Sequence, residues 1–234
     1  MSELIYLEGG RVALKSHYDP AVERVVGHDR FFAGLDLGRS DPSAFVLLRD
    51  KQIPEWGTGS RQVLGLRART VVFADRIRTT AYTDIARHVA AMLAKPDLQG
   101  RTQLCVDSTG LGAPFCDVLT EGGIDHFAMT MTAGASWARK AHRISVSKNI
   151  LLEALASGFE TSALGIAHDL PLKSELMSEI ASFELASTAA GNLVLQGGGK
   201  GHHADMAIAL ALAYFASENL LPGFTGEGQL ENYW

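Results

Sequence analysis

Only two cysteines occur in the 234 residues, Cys105 and Cys116. Two thiols can form neither a disulfide framework nor a four-cysteine zinc cage. Cys105 lies inside the apolar run Leu104-Cys105-Val106, so a buried, reduced thiol and a cytoplasmic compartment are expected. No apolar stretch reaches the roughly 18 residues of a membrane span. Met1-Ser2-Glu3-Leu4 lacks the basic start and apolar run of a signal peptide, so no membrane partner is expected. Positive charge is also short. The formal net charge is −5, so a nucleic acid would have to be held by a local basic patch, by bound metal or by another domain. No phosphate-binding G-x-x-x-x-G-K-[ST] loop occurs; Gly197-Gly198-Gly199-Lys200-Gly201 has neither the spacing nor the hydroxyl. There is no internal repeat. What remains, 47% hydrophobic and 20% charged residues, fits an ordinary globular chain long enough for a sizeable core.

The order of elements predicts an α/β domain with a mixed central sheet. Residues 1–30 are polar, broken by Gly9-Gly10 and Asp19-Pro20, and read as an irregular arm or linker. A domain over 31–220 and a frayed tail over 221–234 are expected. Phe31 to Leu37, Ala44 to Arg49 and Val71 to Ala74 read as an antiparallel start to the sheet, with a loop from Ile53 to Ser60. Helical spacing runs over Thr83 to Ala94, and Gln103 to Val106 is a compact strand before the turn Ser108-Thr109-Gly110-Leu111-Gly112. Helices are expected over Ala113 to Glu121, Ser145 to Ser157 and Leu172 to Phe183, with a strand over His126 to Met131. A hairpin around Asn192 to Leu195 precedes the Ala-rich helix from Met206 to Ala216.

Three aspartates stand at the edges of these apolar segments. Asp36 ends Phe31-Phe32-Ala33-Gly34-Leu35, Asp107 ends Leu104-Cys105-Val106, and Asp205 opens the last helix. A carboxylate beside a hydrophobic run is costly to desolvate unless a positive group binds it. Ligand sites in open α/β sheets gather at the carboxyl ends of strands, so Asp36 and Asp107 on neighbouring strands would stand side by side, with Asp205 packing across the same edge. Clustered anions raise one another's pKa, and Mg²⁺ or Mn²⁺ would relieve that. Two such ions about 3.5–4 Å apart can activate a water and stabilise the leaving oxygen of a phosphodiester. Taken singly, each aspartate is equally well a turn former or a helix cap; the trio favours metal chemistry.

One basic cluster exists, Arg139, Lys140, His142, Arg143 and Lys148, beside Trp137. Its arginines and lysines are candidates for holding a DNA backbone, Lys148 facing the metals from a helix start. A solvated loop would account for the cluster equally well, and His142 alone reads as a surface residue.

Together these segments resemble the nuclease domain of phage large terminase subunits. The resemblance runs through Gly34-Leu35-Asp36-Leu37-Gly38 with Asp41 beyond it, and Val106-Asp107-Ser108-Thr109-Gly110-Leu111-Gly112. Further on it includes Ser147-Lys148-Asn149-Ile150-Leu151-Leu152-Glu153-Ala154-Leu155, Pro171-Leu172 through Glu175-Leu176 to Glu179, Phe183-Glu184, and Gly201-His202-His203-Ala204-Asp205 before Ala207 to Ala213. It covers roughly residues 30–217, and its specificity lies in the order and spacing of motifs that are individually weak. The resemblance implies a ribonuclease H-like fold and a two-metal endonuclease that cuts double-stranded viral DNA during packaging with little sequence specificity. It also implies a packaging ATPase, a portal and a small terminase subunit as partners. Carried over, Asp36, Asp107 and Asp205 become the metal ligands, with Asp41 and His203 as accessory candidates. Family members often carry a second acid beside the last aspartate, where this chain has Ala204. Lacking a phosphate-binding loop, the chain reads as an excised nuclease domain or a stand-alone relative.

Three other readings compete, one of them a Holliday-junction resolvase-like enzyme, which shares the logic of the acidic trio but typically uses more acids. Gly34 to Gly38 and Asp107 to Gly110 would suit the phosphate loops of an actin-like ATPase, but such proteins need two similar domains and a third glycine-rich loop, and 234 residues are too few. A catalytically weak nuclease fold serving as a DNA-binding or motor-docking module would fit the negative charge and Ala204.

Overall fold

The structure is a computed structural model that describes residues 3–15, 25–38, 41–110, 112–187, 193–197 and 204–220; for 60, 184–187 and 193–197 only the backbone is described. Its centre is a mixed sheet. β1 (Leu4–Tyr6), β2 (Arg11–Leu14), β3 (Val26–Asp36) and β4 (Ser43–Gln52) come first, then a small separate hairpin of β5 (Pro54–Trp56) and β6 (Gln62–Leu64), then β7 (Ala68–Ile77). After α1 (Tyr82–Leu93) come β8 (Thr102–Asp107), α2 (Gly112–Glu121), β9 (Phe127–Thr132), β10 (Trp137–Lys140) and β11 (Arg143–Ser147). The chain continues through α3 (Lys148–Glu160), β12 (Leu164–Ile166), α4 (Lys173–Ala181), the hairpin β13 (Phe183–Ser187) with β14 (Leu193–Gly197), and α5 (Asp205–Asn219).

The main sheet has the order β10-β11-β9-β8-β3-β4-β7-β12, with β2 and then β1 added beside the first part of β3. β3, β8, β9 and β11 run parallel, so their carboxyl ends share one edge; β4 runs the other way between β3 and β7. Successive strand residues face opposite sides of a sheet, and the core divides accordingly. Phe32, Ala44, Val46, Leu48 and Cys105 face α3, α4 and α5. Phe31, Ala33, Leu35, Phe45, Leu47, Leu104 and Val106 face α1 and α2. The result is a three-layer α/β/α domain. α5 is buried from Met206 to Ser217, which is why its sequence is apolar on every side and not amphipathic. Cys105 and Cys116 are free and buried, and burial pushes the Cys116 thiol up to about 11.

The sequence expectations differ from the structure in four places. The segment expected to be irregular up to residue 30 carries β1, β2 and the first residues of β3, joined to the sheet. Gly9 and Gly10, expected only to break structure, turn the chain between β1 and β2 at φ 67° and 74°, a conformation open to residues without a Cβ. The loop expected near residues 53–60 holds one arm of the β5–β6 hairpin. The helix expected from Ser145 begins only at Lys148, because Ile144 and Val146 continue β11 in strand alternation. His203 and the expected tail 221–234 lie outside the described residues. Among the described residues no helix is long and apolar enough to cross a membrane.

Candidate metal centre

Strand register places the first two acids. Leu35 pairs with Val106 across β3 and β8, so the next residues, Asp36 and Asp107, stand level at the carboxyl edge. Both fall on the same parity as Phe32 and Cys105, and so on the face covered by α5. The third acid arrives with that helix. Gly34 lies directly against Ala209, and a Cβ at position 34 would overlap the Ala209 carbonyl oxygen. From that crossing Asp36 is two strand residues onward, about 6.6 Å, and Asp205 is four helix residues back, about 6 Å. Strand and helix run in opposite directions, so both aspartates reach the same edge.

Electrostatics records the meeting. Burial, followed by the charges of Asp107 and Asp205, holds the Asp36 carboxyl well above the usual carboxylate range; the Lys148 cation opposes them. Burial also raises Asp107, against hydrogen bonds from Thr109 and the charge of Lys148. Asp107 is tied down locally: its Oδ1 accepts the Thr109 N–H at 2.8 Å, and Thr109 Oγ1 in turn accepts the Met131 N–H at 2.9 Å. Ser108 Oγ meets Thr130 Oγ1 at 2.8 Å. The turn after β8 is thereby fastened to β9.

Two residues without a sequence-derived role join the site. Arg76 of β7 pairs with Ala44, which pairs with Asp36, so Arg76 lies in the same cross-strand row as Asp36. Its guanidinium lies 3.4 Å from Asp205 Oδ2 and donates to Glu179 of α4. Glu179 is buried, and burial raises its pKa despite the Ala207 N–H and Arg76 beside it. Among the described residues no group of three His, Cys, Asp or Glu side chains is gathered closely enough to cage an ion. Asp205 is engaged by Arg76 instead. The donor chemistry still fits a hard divalent cation, which takes carboxylate oxygens.

The remaining candidates separate. Lys148 opens α3 immediately after β11, whose Ser147 caps the helix by accepting the Asn149 N–H at 3.2 Å. Because β11 is parallel to β9 and β9 to β8, Lys148 comes out on the acidic edge. Arg143 starts β11, four residues or about 13 Å from Ser147. Arg139 and Lys140 pair beside it, at Ile144 and Arg143. The basic cluster of the sequence is therefore two groups, Lys148 at the acids and the others towards the opposite edge. Arg139 lies over the Phe127 ring and donates to the Ala141 carbonyl, and His142 stacks on Phe127. A cleft of about 560 Å³ between α2, β9 and β11 is lined by Arg143, His142, Asp117 and Ser108. Asp41 lies in the turn between β3 and β4, where its carbonyl oxygen packs against Gly38.

A mixed sheet covered by helices on both faces, with α5 lying across β3, is the fold this chain shares with solved nuclease domains of phage large terminases. The nuclease domain of the large terminase from thermophilic phage G20c, solved with bound magnesium, superposes with a TM-score of 0.55 at 22% identity, over 91% of this chain and 92% of that one. A mutant nuclease domain of the large terminase subunit of bacterial virus Sf6, solved with manganese, gives 0.56 at 14% identity, over 79% and 87%. In sequence, the chain is 26% identical over 152 residues to the terminase large subunit of Thermus virus P23-45. That match spans 65% of this chain but only 27% of the relative's length. No family model matches the chain.

Proposed function

We propose that this chain is a divalent-metal-dependent endonuclease that hydrolyses phosphodiester bonds of double-stranded DNA with little sequence preference. The observation that carries the reading is the convergence of Asp36, Asp107 and Asp205 on one sheet edge, with Asp36 held above its usual range by burial and by the other two. These carboxylates would hold Mg²⁺ or Mn²⁺, in a pair. Bound there, such ions would supply a water of lowered pKa as nucleophile and positive charge for the phosphate.

The chain's own residues do the rest. The Thr109 N–H fixes the Asp107 carboxylate, keeping one ligand oriented before any ion arrives. Lys148 supplies a cation at the same edge for a non-bridging phosphate oxygen. Arg139, Lys140 and Arg143, about 13 Å away, would meet the backbone further along the duplex. Asp41 is an accessory acid at the rim of the edge, and His203, two positions before Asp205 in the sequence, is the other accessory candidate. The packaging partners, an ATPase domain or subunit, a portal and a small terminase subunit, follow from the likeness to large terminases and belong to the same proposal.

One observation favours a second reading, a nuclease-fold DNA-binding or motor-docking module. Asp205 is engaged by Arg76, and no cage is preformed among the described residues. Titrating the protein calorimetrically with Mn²⁺ separates the two. The endonuclease reading predicts binding that Asp36→Ala abolishes; heat indistinguishable from dilution would leave only the module.

A further inference from the structure

The amino terminus of α5 presents a capping problem that its own sequence does not solve. The first four N–H groups of a helix have no partner within it, and Ser, Thr, Asp or Asn normally supplies one from the cap position. Here that position is Ala204, which offers no side-chain hydrogen bond. The partner comes from another helix. Glu179 Oε2 accepts the Ala207 N–H at 3.0 Å, while Glu179 Oε1 takes Arg76. A carboxylate at this end also complements the helix dipole. Arg76 then links Glu179 to Asp205. Glu179 is only 8% exposed, and a buried carboxylate with two charge-assisted partners is costly to keep unless its geometry is used.

We infer that Glu179 is a positioning residue for the metal-binding edge, capping α5 from α4 and sharing Arg76 with Asp205. The inference rests on the metal-dependent reading above. Asp205 is the first residue of α5, so whatever fixes the first turn fixes Asp205 relative to Asp36. Arg76 is a competitor for Asp205 when no metal is present, and Glu179 draws part of its charge away. Without Glu179 the first turn loses its cap and Arg76 is left to Asp205 alone. Both changes work against a bound cation.

The test is Mn²⁺ affinity of the folded protein, by calorimetry and by the electron paramagnetic resonance of free Mn²⁺, with circular dichroism confirming the fold of each variant. Glu179→Ala should weaken Mn²⁺ binding about 10–100-fold, the scale seen when outer-shell partners of metal ligands are removed. Glu179→Gln keeps an oxygen for the Ala207 N–H and should recover part of that loss. Should Glu179→Ala fail to fold, Glu179→Met preserves volume without the acceptor and carries the same comparison with Gln. If Glu179→Ala or Glu179→Met binds Mn²⁺ like wild type while Asp36→Ala does not bind, the positioning role is wrong and the metal reading stands. If Gln is as impaired as Ala or Met, the capping role is wrong. Wild type that binds no Mn²⁺ overturns the metal reading and this inference with it.

Discussion

Gly34 and Ala209 are packed backbone to backbone, and this contact sets how far α5 advances along β3. A side chain at position 34 would collide with a carbonyl, not with a flexible group that can swing away. Overpacking of this kind costs about 1–3 kcal/mol. Gly34→Ala is therefore expected to lower the melting temperature and, by shifting α5, to weaken Mn²⁺ binding at Asp36 and Asp205. Thermal melts and titrations check both; a variant matching wild type in each would show that the crossing does not register the site.

Lys148 faces Asp36 and Asp107, and its charge lowers the pKa of both. Removing it leaves the edge more negative. Lys148→Gln should bind Mn²⁺ at least as tightly as wild type, yet cleave DNA about 10–100-fold more slowly at saturating metal. That range corresponds to one charge-assisted hydrogen bond of about 1.5–3 kcal/mol. Cleavage at the wild-type rate would remove Lys148 from the phosphate contact.

A second charge centre lies near the opposite end of β3 and β4 and gives a pH prediction independent of metal. Asp50 is fully buried between Arg30, Arg67, Arg69 and His28. Burial works to raise its pKa, but the hydrogen bonds of Arg67 and His28 win and hold it far below the usual carboxylate range. A depressed folded-state pKa stabilises the fold at every pH above the unfolded value, near 4, and the contribution is lost as the pH falls below it. Asp50→Asn should cost about 3–5 kcal/mol at pH 7, since it strands buried arginines. The gap between wild type and variant, measured by denaturant unfolding, should narrow below about pH 4. A gap that does not change with pH would contradict this role for Asp50.

Asp36 and Asp107 are legible in the sequence because a strand that ends in an acid after an apolar run holds a charge that something must neutralise. Asp205 is legible from the Ala-rich helix it opens. Glu179 is not, because an acid within a helix looks like part of a solvated face, and its contacts are made with residues 28 and 103 positions away. The signal that points to it is indirect: Ala204 leaves the start of α5 uncapped, so an acceptor has to come from elsewhere. Arg76 is hidden similarly, since only the pairing of β3, β4 and β7 reveals its row. The basic run from Arg139 to Lys148 misleads in the other direction. β10 is exposed along its whole length and shows no apolar alternation, so neighbours in sequence look like neighbours in space. β1 and β2 escape notice because strands of three and four residues give too short a period to stand out from a polar arm.

The most direct test of the proposed activity is nicking of supercoiled plasmid with Mn²⁺ or Mg²⁺, over a range of protein concentrations, by wild type and by Asp36→Ala, Asp107→Ala and Asp205→Ala. Wild type is expected to convert the plasmid to open-circular and linear DNA, a conversion abolished by chelator. Each variant should lose at least roughly 100-fold in rate, about 2.7 kcal/mol of transition-state stabilisation. Wild type that leaves the plasmid intact at every concentration, or aspartate variants that cut as fast as wild type, would contradict the metal-dependent nuclease assignment.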